Sequence, residues 1–214
     1  FSLNARDTYE EMYWKYGYNR YFDSFEHYYS LYQRRNLDLW AEYADGKVTK
    51  EELNRQRYLY PLEAVGAGDS TLAKAYERDA LTMIPTKSKL MPHAREVLEY
   101  LSRKYNLYIL SNGFKELQSH KMRSSGIDEY FKKVVLSDDI GILKPWPEIF
   151  HFALSTTQSE LNNSLMIGDS WENDIVGAAG VGMHQVFYNL SGRIDLPFAP
   201  TYQITDLKDL FNFL

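Results

Sequence analysis

Cysteine is absent from the 214 residues. That excludes disulfides, thiolate nucleophiles and cysteine-ligated zinc, and it fits a reducing compartment. Positive charge is in the minority: 24 Lys and Arg face 29 Asp and Glu, for a formal charge of −5 and a pI near 5.6. With no basic excess to hold a phosphate backbone, binding of a nucleic-acid polymer is not expected as the main role. Long apolar runs are also missing, so no membrane span is expected. The first residues form neither a secretion signal nor a transit peptide, and a cytoplasmic protein is expected. Glycine is scarce early on, with four of the 12 glycines in residues 1–88.

What those first 88 residues do contain is tyrosine, 12 of the 18 in the chain. Tyr9, Met12, Tyr13 and Tyr16 follow a helical i, i+3, i+4, i+7 spacing, which predicts a helix from Arg6 to about Tyr18. A second helix is expected from a cap at Asp23 to Gly46, and a third from the capping box Thr49-Lys50-Glu51-Glu52 to a kink or stop at Pro61. Asp69 caps a fourth that reaches about Met83. Four helices with short connections predict a small bundle, with the tyrosines as amphipathic packing residues whose hydroxyls stay wet.

Beyond Pro85 the pattern changes. Short β-type runs at 107–110, 134–136, 164–167 and 184–187 alternate with helical stretches at 94–104, 115–124, 148–154 and 172–179, and a last helix covers 206–213. This order predicts an α/β section with a doubly wound, Rossmann-like parallel sheet. The expected division is therefore a helical unit at 1–88 and an α/β unit at 89–214.

In such a sheet the ligand site lies beyond the carboxyl ends of the strands. Ser111-Asn112-Gly113 follows the first run, Gly141-Ile142-Leu143-Lys144-Pro145 comes after the second, and Gly168-Asp169-Ser170 with Asp174 follows the third. A hydroxyl with nearby backbone amides, a lysine and two carboxylates are the parts needed to hold a phosphoryl group and a hard cation such as Mg²⁺. Each piece has a plainer reading: an ordinary strand-to-helix turn, a solvated loop lysine, a tight turn with Asp helix caps. Their shared placement at three successive strand ends is what favours the phosphate reading. The five histidines form no spaced ligand pair, and the glycine run 177–182 follows a helix rather than a strand, so it reads as a helix cap.

The ordered set Leu110-Ser111-Asn112-Gly113, Gly141-Ile142-Leu143-Lys144-Pro145 and Ile167-Gly168-Asp169-Ser170 with Asp174 resembles motifs two, three and four of the haloacid dehalogenase-like (HAD) hydrolases. Lys144-Pro145-Trp146-Pro147-Glu148-Ile149-Phe150 is a specific part of that likeness. The stretch Asn112-Gly113-Phe114, Leu117-Gln118, Gly126-Ile127, Tyr130-Phe131 is similar to the house-cleaning pyrimidine 5′-nucleotidase branch. The resemblance covers the whole chain and implies an α/β core with residues 1–88 as an inserted four-helix cap. It implies a magnesium-dependent phosphomonoesterase working through an aspartyl-phosphate on nucleoside monophosphates or similar small phosphometabolites, as a monomer or weak homodimer. In these terms Ser111, Asn112, Gly113 and Lys144 hold the phosphoryl group, and Asp169 and Asp174 serve the metal. A 2-haloacid dehalogenase, or a HAD-like protein that binds phosphometabolites without turnover, are the alternatives; Gly168-Asp169-Ser170 stands where dehalogenases show Ser-Ser-Asn.

One part of the family pattern is missing. No Asp-x-Asp occurs in the 214 residues, although the family's nucleophile and its acid/base partner stand in that motif at the end of the first core strand. Such a strand buries about five apolar residues at roughly 1.5–3 kcal/mol each, comparable to the whole stability of a domain. The expectation is a first core strand upstream of residue 1, pairing with the strands at Leu107 and Ile167 and carrying both aspartates.

Overall fold

The computed structural model describes residues 2–214. The chain divides into two compact units, Phe1–Lys89 and Leu90–Leu214. The first holds α1 (Ser2–Lys15), α2 (Phe25–Ala44), α3 (Lys50–Ala64) and α4 (Ser70–Met83). The caps read from the sequence at Thr49 and Asp69 are made, their side chains accepting from the N–H groups of Glu52 and Leu72 at 3.1 and 2.9 Å. For α2 the cap is Ser24 rather than Asp23: the Ser24 hydroxyl accepts from His27 N at 3.1 Å, while the Asp23 side chain is left in solvent. Helix α1 also begins and ends earlier than the tyrosine spacing suggested.

Pro61 neither ends nor caps α3, which continues three residues past it. A proline inside a helix costs about 3 kcal/mol through its missing N–H and its clash with the preceding turn. Burial of Leu53, Tyr58, Leu59 and Leu62 on the same helix, at roughly 1.5–3 kcal/mol each, outweighs that cost.

The tyrosines do pack the bundle, but their hydroxyls are not wet. Tyr9, Tyr13, Tyr18, Tyr28, Tyr58 and Tyr76 are all at most 2% exposed. Four of these hydroxyls bond inward: Tyr9 Oη lies 2.7 Å from Tyr32 Oη and 3.2 Å from Tyr58 Oη, Tyr13 Oη donates to the Phe22 carbonyl at 3.1 Å, and Tyr76 Oη donates to the Tyr9 carbonyl at 3.1 Å. The Tyr18 hydroxyl is buried with no hydrogen-bond partner among the described residues. Burial holds the Tyr9 phenol well above its ordinary pKa, so it stays protonated and available as a donor.

The second unit runs α5 (Ala94–Leu101), β1 (Leu107–Ser111), α6 (Lys115–Ser125), β2 (Phe131–Leu136), α7 (Pro147–Thr157), β3 (Leu165–Gly168), a π-helical turn Trp171–Val176, α8 (Gly177–Gly180), β4 (His184–Tyr188) and β5 (Tyr202–Ile204). A 3₁₀ segment, Leu207–Asn212, takes the place of the expected last α-helix. All strand pairs are parallel. Ser111 stands beside Leu136 in one sheet, and Ile167 beside Val186 in the other.

The strands thus form two sheets, β1-β2 and β3-β4-β5, among the described residues. β1 and β3 each have a ladder partner on one edge only. Their apolar residues are half-buried, whereas Val186 and Phe187 of β4 and Val135 and Leu136 of β2 are buried. A central strand is normally the better covered one.

Candidate active site

The three strand-end segments converge on one lysine. Lys144, 8% exposed, lies in the loop between β2 and α7, and its Nζ donates to the Leu110 carbonyl of β1 at 2.8 Å and to Asp174 Oδ1 at 2.6 Å. Its backbone is held by the side chain of Asn112: Lys144 N donates to Asn112 Oδ1 at 2.8 Å, and Asn112 Nδ2 donates to Lys144 O at 3.0 Å. This two-point clamp joins the turn after β1 to the lysine loop, 32 residues further on. The loop contains a cis peptide bond between Lys144 and Pro145.

Asp174, 5% exposed, uses both carboxylate oxygens, since Oδ2 accepts from Ser170 N at 3.0 Å. Gly168 allows this position. A Cβ there would overlap the Asp174 carboxylate and come 2.5 Å from its Cβ, so any other residue at the end of β3 would displace the aspartate. Asp169, next along the chain, is exposed to solvent. Nearby Tyr188 has its phenol pKa raised, first by burial and then by the carboxylates of Asp206 and Asp169.

Ser111 ends β1. Its Oγ accepts from Gly113 N at 3.0 Å and from Gln118 Nε2 at 2.5 Å. A serine oxygen has two acceptor lone pairs and one hydrogen. With both lone pairs occupied, the hydrogen is left to donate. The Gly113 N–H, expected from the sequence to face an anion, points instead to the serine. At the start of α6, Lys115 N donates to Asp138 Oδ2 at 3.1 Å. Asp138 and Asp139 thus tie the end of β2 to this turn; Asp139 Oδ2 accepts from Leu136 N at 2.9 Å.

The structure therefore brings Ser111, Asn112, Gly113, Lys144 and Asp174 into one bonded cluster, with Asp169 beside it on the solvent side. Sequence reasoning missed Gln118, whose only sign was its place in the Leu117-Gln118 pair. Among the described residues no group of three or more His, Asp or Glu could hold a metal by itself. Two carboxylates, one open and one engaged, fit a hard cation that takes its other ligands from water and substrate oxygens.

A two-unit chain with parallel α/β strands and clustered polar side chains at their carboxyl ends defines a class, the α/β proteins of Rossmann-like fold with a ligand site at the strand ends. Within that class a family model described as haloacid dehalogenase-like hydrolase matches residues 4–182. The chain belongs to this family and is a hydrolase. It is 30% identical over 186 residues to the pyrimidine 5′-nucleotidase YjjG of Escherichia coli, covering 86% of this chain and 80% of that protein. It is 29% identical to the putative HAD-hydrolase YfnB of Bacillus subtilis over 86% of this chain and 78% of that protein. The crystal structure of YfnB bound to magnesium superposes with a TM-score of 0.79, covering 87% of this chain and 82% of that one at 28% identity. L-2-haloacid dehalogenase from Xanthobacter autotrophicus shares the fold, with a TM-score of 0.72 at 18% identity over 96% of this chain and 91% of that one.

Proposed function

We propose that the protein is a magnesium-dependent phosphomonoesterase acting on nucleoside monophosphates or similar small phosphometabolites. The observation that carries this reading is the convergence on Lys144: a buried ammonium 2.6 Å from Asp174 and 2.8 Å from the end of β1, with the Ser111 hydroxyl and the Asp169 carboxylate at the neighbouring strand ends. The similarity to a pyrimidine 5′-nucleotidase supports the substrate class.

In this reading the Ser111 hydrogen is donated to a phosphoryl oxygen, because its lone pairs are already filled. Lys144 offsets negative charge on the phosphoryl group. One opposite-charge pair at about 4 Å contributes on the order of 4 kcal/mol at an effective dielectric near 20. Asn112 holds that lysine in place through its backbone. Asp169 would bind Mg²⁺ directly, and Asp174, committed to Lys144 and Ser170, would orient the shell around it. When bound, the cation would neutralise phosphate charge and fix the orientation of the ester. No Asp-x-Asp that would supply an attacking carboxylate and its acid/base partner occurs among the 214 residues.

Residues 1–88 would serve as the cap in this assignment. The exposed Asp169 carboxylate favours a metal-assisted phosphatase over a dehalogenase, which has no use for a cation. The test is release of inorganic phosphate by the full-length protein from a panel of nucleoside monophosphates. Activity that is lost on chelation, restored by Mg²⁺ and abolished by Asp169→Asn is expected. Full turnover by Asp169→Asn in the presence of chelator would overturn the assignment.

A further inference from the structure

The Ser111 hydroxyl is not oriented by the strand end alone. Gln118 lies in the first turn of the following helix, and its amide nitrogen donates to Ser111 Oγ at 2.5 Å. Its amide oxygen accepts from Lys121 Nζ at 3.0 Å. Gln118 and Lys121 are three residues apart on α6, a spacing that puts them on one side of the helix. A carboxamide can point either end toward a neighbour, and the partners decide which. An ammonium only donates, so Lys121 takes the oxygen end and turns the nitrogen end to the serine.

Gly113 is part of the same arrangement. A Cβ there would strike the Gln118 amide nitrogen and lie 3.0 Å from its Cδ and 3.1 Å from its Cγ. Gly113 carries no positive φ, so its need is space, and the space is filled by the Gln118 amide. The Gly113 N–H then occupies the second lone pair of Ser111.

We propose that Lys121 and Gln118 are positioning residues that hold the Ser111 hydroxyl as an outward hydrogen-bond donor to the transferring phosphoryl group. This rests on the phosphoryl role of Ser111 assigned above. Its chemical content is a matter of polarity: the chain Lys121 to Gln118 to Ser111 donates in one direction, and reversing it consumes the serine hydrogen. In Gln118→Glu the same volume presents two acceptor oxygens, one to Lys121 and one to Ser111 Oγ. The serine would then donate inward and be lost to the substrate.

The experiment measures kcat and KM for phosphate release in the full-length protein carrying Ser111→Ala, Gln118→Glu, Lys121→Met and Lys121→Arg, and the double variant Ser111→Ala with Gln118→Glu. Loss of one transition-state donor typically costs on the order of 10²–10³-fold in kcat, which sets the expectation for Ser111→Ala. Gln118→Glu should lower kcat by at least about 10-fold with KM little changed, and the double variant should be no slower than Ser111→Ala. Lys121→Met should show part of the loss, and Lys121→Arg, which still donates, should restore it. A normal loss in Ser111→Ala with unchanged turnover in Gln118→Glu would overturn the positioning role alone, as would losses that simply multiply in the double variant. Unchanged turnover in Ser111→Ala would overturn the phosphoryl role of the serine, and the positioning role with it.

Discussion

Removing the Lys144 ammonium breaks the most buried ion pair among the described residues of the second unit. The side chains of Lys144 and Asp174 are 10% and 7% exposed and lie 2.6 Å apart. Neither ion can fall back on bulk water if its partner disappears. Breaking a buried pair by removing one partner costs about 3–5 kcal/mol, because the survivor is left as an uncompensated charge. In Lys144→Met the Asp174 carboxylate keeps only the Ser170 N–H, and in Asp174→Asn the ammonium keeps the Leu110 carbonyl and a weaker amide oxygen. Each single variant should therefore lose about 3 kcal/mol or more. In Lys144→Met with Asp174→Asn no buried charge remains, and the asparagine oxygen can still accept from Ser170. The double variant should lose about 2 kcal/mol less than the sum of the singles. With a urea m-value of about 2 kcal/mol/M, each single variant moves its unfolding midpoint by roughly 1.5 M. The assay is urea unfolding at neutral pH followed by fluorescence, with Trp146 and the buried Trp171 reporting on this unit. Additive losses, or single losses below about 1 kcal/mol, would show that the pair is not a buried electrostatic unit.

Two further outcomes follow from the geometry. Gly168→Ala should cost about 1–3 kcal/mol by overpacking and should displace Asp174 from Lys144 and Ser170, because the new methyl overlaps its carboxylate; an unchanged urea midpoint would contradict this. In the helical unit, Asp79 accepts from Lys15 Nζ at 2.8 Å and from Tyr16 Oη at 2.7 Å, and these bonds, Lys15 first, lower its pKa from 3.8 to about 2. A depressed folded-state pKa gives stability that is present above the unfolded value and lost as pH falls through the folded one. Asp79→Asn should therefore lower stability by about 1 kcal/mol at pH 7, after allowing for solvent screening. It should also flatten the fall in stability between about pH 4 and pH 2, as read by thermal unfolding across that range.

Local chemistry was the most legible part of the sequence. The caps at Thr49 and Asp69 act within three residues, and the strand runs at 107–110 and 165–167 are apolar because they lie inside a sheet. The strand ends could be read for the same reason: in a parallel sheet the residues after each run share one edge. What escaped was decided by contacts distant in sequence. The strand Tyr202–Ile204 is three residues of mixed polarity and exists because β4 offers it an edge. Pro61 stays helical because of an aromatic core contributed by all four helices. The Tyr9, Tyr32 and Tyr58 hydroxyls are dry because they meet one another, as Tyr9 meets Tyr32 across 23 residues. Asn112 looked like a turn residue with a useful amide, and its side chain instead clamps Lys144. The orientation of an amide such as that of Gln118 leaves no trace in spacing or hydropathy, since it is set by which partner donates.

The account turns on what the strand-end cluster holds: a phosphoryl group, with a cation beside Asp169. The most direct measurement follows phosphate and chloride release by one preparation of the full-length protein, given a pyrimidine nucleoside monophosphate and 2-chloropropionate in parallel, each with Mg²⁺ and with chelator. The account predicts phosphate release that requires Mg²⁺ and no chloride release in either condition. Chloride release that persists in chelator, without phosphate release, would contradict it.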